Sequence, residues 1–532
     1  MKGLSPAVAA LALISMMLTP SIGVVATSSP TCGSTISGSV TLSADIGPCS
    51  GDGLLVGADG SSLNCAGHAI RGTGVNTGIS VAGRDSVAVT KCKVIGFAVG
   101  YLVSASSNVL VAKSGATGNG RDGFVFDSSS NLKVTSDQAL LNGWSGFHFS
   151  SSSLATLKGD SAKNNSASGF NLQSTSSSKL LSNTAKFNKD SGFWLRLSTS
   201  NTLRSDQALA NGYAGFRFEN SSSSLLKGSK SMQNALQGFY FYASTGNSVL
   251  GNTALRNGGG GFYETTGSNS NTLVGNSAVH DGSIGFFVDS SASNTLRSNT
   301  ANFNTFYGFA LHGVKNTVVS ANKATSNAHD GFFLDGGSSN QLTSNKAITN
   351  GYAGFLLHDS SSNTLSTNSA SKNSLVGYYL TGSSNLNALN VNLALSNGDV
   401  GFFISSASNN LTGNRANLNE DDGFVVWSTT SNFLKGNTAG YNKHDGYVVH
   451  SSTLITLASN VALRNSDTGF FLDSSSANTI SSNASDLNHF WGYFDNSAGQ
   501  GTAGTANTYS QNEGSGNGVA GSAPHGLCSP QS

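Results

Sequence analysis

The chain has 532 residues, 37% hydrophobic and only 10% charged, with 65 glycines and 6 prolines. Its length would suit three or four ordinary domains, but the apolar fraction and the regular placement of Phe exclude a disordered chain. A net charge of +1 without a basic run gives no footprint for nucleic acid or an anionic membrane, and neither is expected as a partner.

The N-terminus carries Lys2, an apolar stretch from Ala7 to Leu18 and then Val24-Val25-Ala26. A charged start, a segment too short to span a bilayer and a small-residue site describe a signal peptide, residues 1–26, cleaved after Ala26. No second apolar stretch follows, so the mature protein is expected to be soluble and secreted, extracellular or periplasmic, with no membrane span. Four of the five cysteines, Cys32, Cys49, Cys65 and Cys92, fall early and lack metal-site spacing. They suit two disulfides in an oxidising compartment, for example Cys32–Cys49 and Cys65–Cys92. Spacing alone does not decide the connectivity or the fate of Cys528.

After a cap and first rungs at 27–77, a repeat fills 78–494, and 495–532 form a C-terminal cap or tail. Gly followed by Phe or Tyr recurs from Gly100 to Gly492 in steps of 23 residues. Two steps are of 24 (Gly261 to Gly285, Gly377 to Gly401) and one is of 22 (Gly401 to Gly423). From Gly123 onward an aliphatic residue stands twelve before the Gly (Leu203, Leu365, Ile480), Ala seven before except at Ser231 and Ser485, and Asn four before except at Asp281. Nine before the Gly lies a second polar column, mostly Asn and otherwise Asp or Ser. Short period-two apolar pieces between Asn, Gly and Ser turns are strands. One repeat cannot bury its own apolar face, but stacked repeats can, rung on rung at about 4.8 Å. The sequence therefore predicts an all-β, single-stranded parallel solenoid of about nineteen rungs. Amides both donate and accept, so the Asn columns can chain along the axis. Asp281, unable to donate when ionised and set in a 24-residue repeat, predicts a local disturbance of register.

These columns, with Gly57-Ala58-Asp59-Gly60 through Asn64-Cys65 as opening rungs, resemble the right-handed parallel β-helix repeat family. That family lies in the pectate-lyase-like superfamily, which includes NosD-type periplasmic accessory proteins of nitrous oxide reductase. The resemblance implies the fold and little about activity. Of the pectin-hydrolase motifs only Asp421-Asp422 has a counterpart here, and the alginate-epimerase D-P-H-D motif is absent.

Three groups carry the candidate chemistry. Two residues after the Gly, an outward stripe contains Trp194, Tyr240, Tyr263, Phe287, Phe333, Tyr379 and Phe403. It predicts a sugar-stacking or protein-docking face, or a surface covered by turns or by a second copy. Two positions further on, Asp289, His312, Asp335 and His358 follow on successive rungs. Such a row can orient a general base or hold a divalent metal, or simply avoid stacking like charges. In the turns before the Gly, Asp421, Asp422 and Asp445, with Asp399, Glu420, His444 and Asp467 nearby, suggest a Ca²⁺ site or ordinary Asp-Gly turn chemistry. The expected function is binding of a glycan or a cell-surface protein along one sheet face. The alternatives are a divergent polysaccharide lyase, hydrolase or epimerase and a NosD-type metal-handling accessory. Met is scarce, which weakens the last, and the even repeat length weakens catalysis, because enzymes of this fold build clefts from unequal turns.

Overall fold

The computed structural model describes residues 29–530; the segment expected to be cleaved lies outside them. The chain winds as a parallel coil with three sheets, A of 22 strands and B and C of 21 each. One rung takes, for example, Phe332–Asp335 in sheet A, Gln341–Thr343 in sheet B and Lys346–Ile348 in sheet C. Every strand pair is parallel and separated by about one repeat, as in Phe332↔Phe355 and Leu342↔Leu365. The coil has two rungs more than the sequence columns predict. Ser34–Ile36 already opens sheet A, and Thr508–Ser510, Glu513–Ser515 and Ala520–Ala523 continue all three sheets at the other end. Disulfides Cys32–Cys49 and Cys65–Cys92 tie the first rungs.

Inside the coil the aromatic column stacks nearly face to face from Tyr101 to Tyr493. Ring centroids lie 4.4 Å apart at Tyr101–Phe124 and 5.0 Å apart at Phe216–Phe239. Phe332 is fully buried while its neighbour Phe333 faces outward and is half-buried. The Gly, Ala and Asn columns are one interlocking contact. A Cβ on Gly331 would lie 2.7 Å from the Ala347 methyl, 2.8 Å from the Gly354 carbonyl oxygen and 2.9 Å from Asn350 Nδ2. Close approach, not backbone conformation, therefore fixes Gly there, and Ala is the largest apolar residue its neighbour column tolerates.

Each ladder amide is fully used. Asn350 Oδ1 accepts from the backbone N–H of Asn327 (3.1 Å) and from its Nδ2 (3.0 Å), while Asn327 Nδ2 also reaches the Ala301 carbonyl at 3.0 Å. A third ladder, including Asn340→Asn363 at 3.0 Å, lines the turn from sheet A to sheet B. Asp281 does not disturb the register. Its Oδ1 accepts from Asn257 N (2.8 Å) and Nδ2 (2.9 Å), and Tyr263 pairs with Phe287 in line. The length changes sit elsewhere, in the A–B turns, where the ladder spacing goes from 23 to 24 at Ser244→Ser268 and Ser360→Ser384 and to 22 at Asn387→Asn409. The acidic turns lie at the opposite end of the sheet A strands, so their match with the irregular repeats is one of sequence and not of space.

Candidate functional site

The outer face of sheet A runs the length of the coil between the C–A turn and the residue that closes each strand. All seven aromatic stripe residues lie on it, yet each is half-buried because its neighbours occupy the ring faces. The Arg217 guanidinium lies 4.9 Å over the Trp194 ring and 5.1 Å over Tyr213 from the turn. Trp194 Nε1 donates to Glu219 Oε2 (3.2 Å), which pairs with Arg217 at 3.0 Å. Tyr263 donates to Ser283 at 3.3 Å and its ring lies 5.0 Å from Phe287. Phe333 meets Tyr307 at 4.8 Å and Tyr379 meets Phe403 at 5.2 Å. Phe403 and Phe471 pack on Val400, Val425 and Val448, a second apolar cluster outside the coil. Much of the stripe is thus the floor of this face, covered from the side by the C–A turn; Tyr240, tilted against Tyr242 at 6.5 Å, belongs to the same layer.

The open rings stand at the margins. Trp144, Phe306 and Phe490 project from the C–A turn, and Tyr242 and Trp427 close their strands; all five are exposed. Sequence reasoning passed over the turn rings, though a signal existed: position two before the Gly holds Trp144, Tyr213, Phe306, Tyr352 and Phe490. Asp and His alternate with them in the same column and obscured it.

The Asp–His row closes into pairs. His312 Nδ1 lies 2.6 Å from Asp289 Oδ1, and its Nε2 3.5 Å from Asp335 Oδ2. His358 Nδ1 lies 2.8 Å from Asp335 Oδ1, and that hydrogen bond holds the imidazole above its ordinary pKa. Farther along, His450 meets Asp473 at 2.6 Å and stacks on Trp427 at 3.8 Å. The ligand atoms of the row are strung along the axis and do not converge on one point. Among the described residues one group does converge: Asp421, Asp422 and His444, with donor atoms within 4.8 Å of one another. Asp445 is not part of it; its Oδ1 accepts from the Thr468 N–H at 2.7 Å, and its own N–H donates to Asp422 Oδ1 at 2.8 Å. Burial, then Asp445 and Asp421, push the Asp422 carboxyl up to about 8; burial raises Asp445 to about 7.

Beside this group lies a cavity of about 280 Å³. Phe471, Phe490, Trp491 and Phe494 give it apolar walls, and His444, Asp445, Asp467 and Thr468 supply polar ones. The C–A turn therefore brings an imidazole and carboxylates to the edge of an aromatic recess on sheet A.

Fold and repeat together define a parallel β-helix. Two family models match it: "Right handed beta helix region" over residues 23–185 and 140–278, and "Periplasmic copper-binding protein (NosD)" over 265–398, 308–460 and 391–526. The chain belongs to the right-handed parallel β-helix repeat family. Comparison with curated proteins gives no match. Among solved structures it is similar to the Azotobacter vinelandii mannuronan C-5 epimerase AlgE6 A-module. That match has 13% identity and a TM-score of 0.36, over 67% of this chain and 90% of that one. It is also similar to the periplasmic alginate epimerase AlgG, with 13% identity and a TM-score of 0.26, over 63% and 75%. A DFA-IIIase from Arthrobacter chlorophenolicus A6 matches at 13% identity and a TM-score of 0.27, over 53% and 69%. Likeness at these levels assigns no role to any residue.

The copper in the second family's description finds no soft donor set here. Beyond the first 28 residues the chain has one Met, Met232, and the cysteine outside the disulfides, Cys528, is buried. The group at Asp421, Asp422 and His444 is carboxylate-rich and lacks the thiolate and thioether donors that select Cu(I).

Proposed function

We propose that this is an exported glycan-binding protein that holds a linear polysaccharide along the outer face of sheet A. One observation carries the reading: the aromatic recess of Phe471, Phe490, Trp491 and Phe494, rimmed by His444, Asp445, Asp467 and Thr468. Sugar rings present apolar faces and a girdle of hydroxyls. A site for them needs flat rings with a few convergent hydrogen-bonding groups, as in other small-ligand recesses. The exposed rings Phe306 and Trp427 lie on the same face, along the direction an extended polymer would follow. Export fits the two disulfides, which persist in oxidising compartments.

The test is binding to immobilised neutral polysaccharides by wild type and by Phe490→Ala with Trp491→Ala. Loss of two anchoring rings is expected to weaken binding about tenfold or more, in line with hot-spot side chains, with the melting temperature little changed. Unaltered affinity, or binding to a protein partner but to no glycan, would overturn the reading.

Catalysis is the second reading, favoured by one feature. Asp445, raised to about 7 by burial, lines the recess beside Asp467, and a pair of carboxyls at one site, one of them able to hold its proton near neutral pH, is the equipment of acid–base cleavage. Release of reducing ends or unsaturated products from the bound polymer, abolished by Asp445→Asn, distinguishes it from binding alone.

A further inference from the structure

The near-zero net charge conceals a strongly polarised cross-section. The strands of sheets B and C carry 15 Lys and Arg against 2 Asp and Glu, Asp486 and Glu513. The strands of sheet A carry 2 bases, Arg196 and Arg217, against 5 outward acids, Asp127, Glu219, Asp289, Asp335 and Asp473, while Glu264 and Asp495 are buried inside. The coil thus has an acidic face and, around its other two sides, a cationic flank. In the sequence, bases at equivalent positions stand about a repeat apart, so no run of them appears.

The flank is built from like charges in register. Lys163 pairs with Lys186, Arg204 with Lys227, and Lys323 with Lys346, each directly opposite on neighbouring strands. Like charges so placed destabilise a sheet. Among the described residues no acidic side chain pairs with these six bases: the Lys and Arg ion pairs are Arg71–Asp45, Arg217–Glu219 and Lys443–Glu420, and Lys186 lies over the Phe187 ring at 4.6 Å. Asp137, Asp160 and Asp206 lie under this flank but point inward and are buried, and burial raises their carboxyls to about 7, 9 and 7. At its corner Lys93, Lys113, Ser114, Gly115, Ser136 and Gln138 line a cleft of about 190 Å³.

We infer that the flank formed by sheets B and C is a docking surface for a linear anionic polysaccharide, separate from the face of sheet A. Cations on successive rungs stand about 4.8 Å apart, roughly the advance of one sugar along an extended chain. Outward Gln138, Ser161 and Thr184 offer hydrogen bonds to sugar hydroxyls, and outward Leu181 and Leu209, which pair with Arg204 and Lys186, offer apolar contact to sugar ring faces. Eleven of the fifteen bases are Lys, point charges that accept carboxylate or sulfate without a fixed geometry. Nucleic acid fits less well. Single-strand binding adds aromatic platforms on successive positions to a basic groove; the strands of B and C offer Phe433 and the buried Tyr509, and the exposed rings that follow sheet C strands, Phe187, Phe303 and Tyr441, stand several rungs apart. The acidic face of sheet A repels the same polymer, so the two sides of the coil sort glycans by charge.

The test uses the full mature protein on immobilised dextran sulfate, polygalacturonate and uncharged dextran. Wild type is expected on both acidic polymers, with affinity falling about tenfold or more between about 0.05 and about 0.2 M salt. Replacing Lys163, Lys186, Arg204 and Lys227 together by Gln is expected to remove about tenfold in affinity. These side chains lie on the strand surface, and losing opposed like charges leaves the melting temperature equal or higher. The Phe490→Ala, Trp491→Ala variant keeps its retention on the acidic polymers, so failure here and failure of the sheet A reading are distinguishable. No retention of wild type on either acidic polymer, retention insensitive to salt, or unchanged affinity of the Gln variant overturns the inference. Tighter binding to single-stranded DNA or to anionic vesicles than to the acidic polysaccharides overturns it as well.

Discussion

A single oxygen in place of an amide nitrogen changes what the ladders can do. Asp160, Asp206 and Asp281 stand in Asn columns, each with Oδ1 accepting from the rung before. Their Oδ2 atoms are buried without a hydrogen-bond partner, in the position where Asn donates. A protonated carboxyl restores one donor; an ionised one buries an unpaired charge. Burial accordingly raises the three to about 9, 7 and 7, far above the unfolded carboxylate near 3.9. Inward-facing Glu264, with neither carboxyl oxygen partnered, is raised to about 8 by the same cause. The folded state binds more protons than the unfolded state over this window. Their stabilisation is therefore complete below about pH 4 and is lost as pH rises through about 7 to 9. Asp160→Asn with Asp206→Asn is expected to raise stability at pH 9 by about 1–3 kcal/mol per site and to change little at pH 5. Thermal melts at both values check this; an equal effect at the two would refute the protonation argument. The Asp positions, and at Asp281 the missing donor, were legible in the sequence, but the burial that keeps these carboxyls protonated was not.

Among the elements, the C–A turn carries the most chemistry, and the sequence described it only in part. Column spacing placed Asp421, Asp422 and Asp445 on adjacent rungs. It could not say that His444, rather than Asp445, would bring its donor atom to Asp421 and Asp422. That exchange alters the expected metal preference. Calcium takes oxygen ligands, whereas an imidazole with two carboxylates suits zinc or nickel. Addition of Zn²⁺ is therefore expected to raise the melting temperature more than Ca²⁺ does, by mass action on the folded state. His444→Gln should remove the difference, and Asp422→Asn the whole rise. A calcium response that survives His444→Gln would return the site to an all-oxygen arrangement. The Asp289–His312–Asp335–His358 row was legible in full, because residues at the same position of successive rungs must be neighbours. The aromatic stripe was not. Its outward direction followed from period two, but its cover came from turn side chains whose rotamers no column predicts.

For the whole molecule, 21 complete rungs at about 4.8 Å make a coil on the order of 100 Å long. Small-angle scattering of the mature protein should give a rod of that length, and a maximum dimension near that of a sphere of equal mass would contradict the architecture. Strand order, parallel pairing and the buried Phe, Ala, Gly and Asn columns were determined by the sequence by itself. In a solenoid every long-range contact is a contact between equivalent positions one repeat apart, so periodicity is topology. What repeats at no fixed position had to wait for the tertiary structure. The added rungs at both ends lack the Gly-Phe mark, and the length changes were moved into the A–B turns. The recess at Trp491 forms where three rungs and a turn meet. The charge division between sheet A and the other two is invisible in a net charge of +1, because winding the chain converts position within a repeat into a side of the coil. Only the closed coil gathers bases about a repeat apart in sequence into one surface.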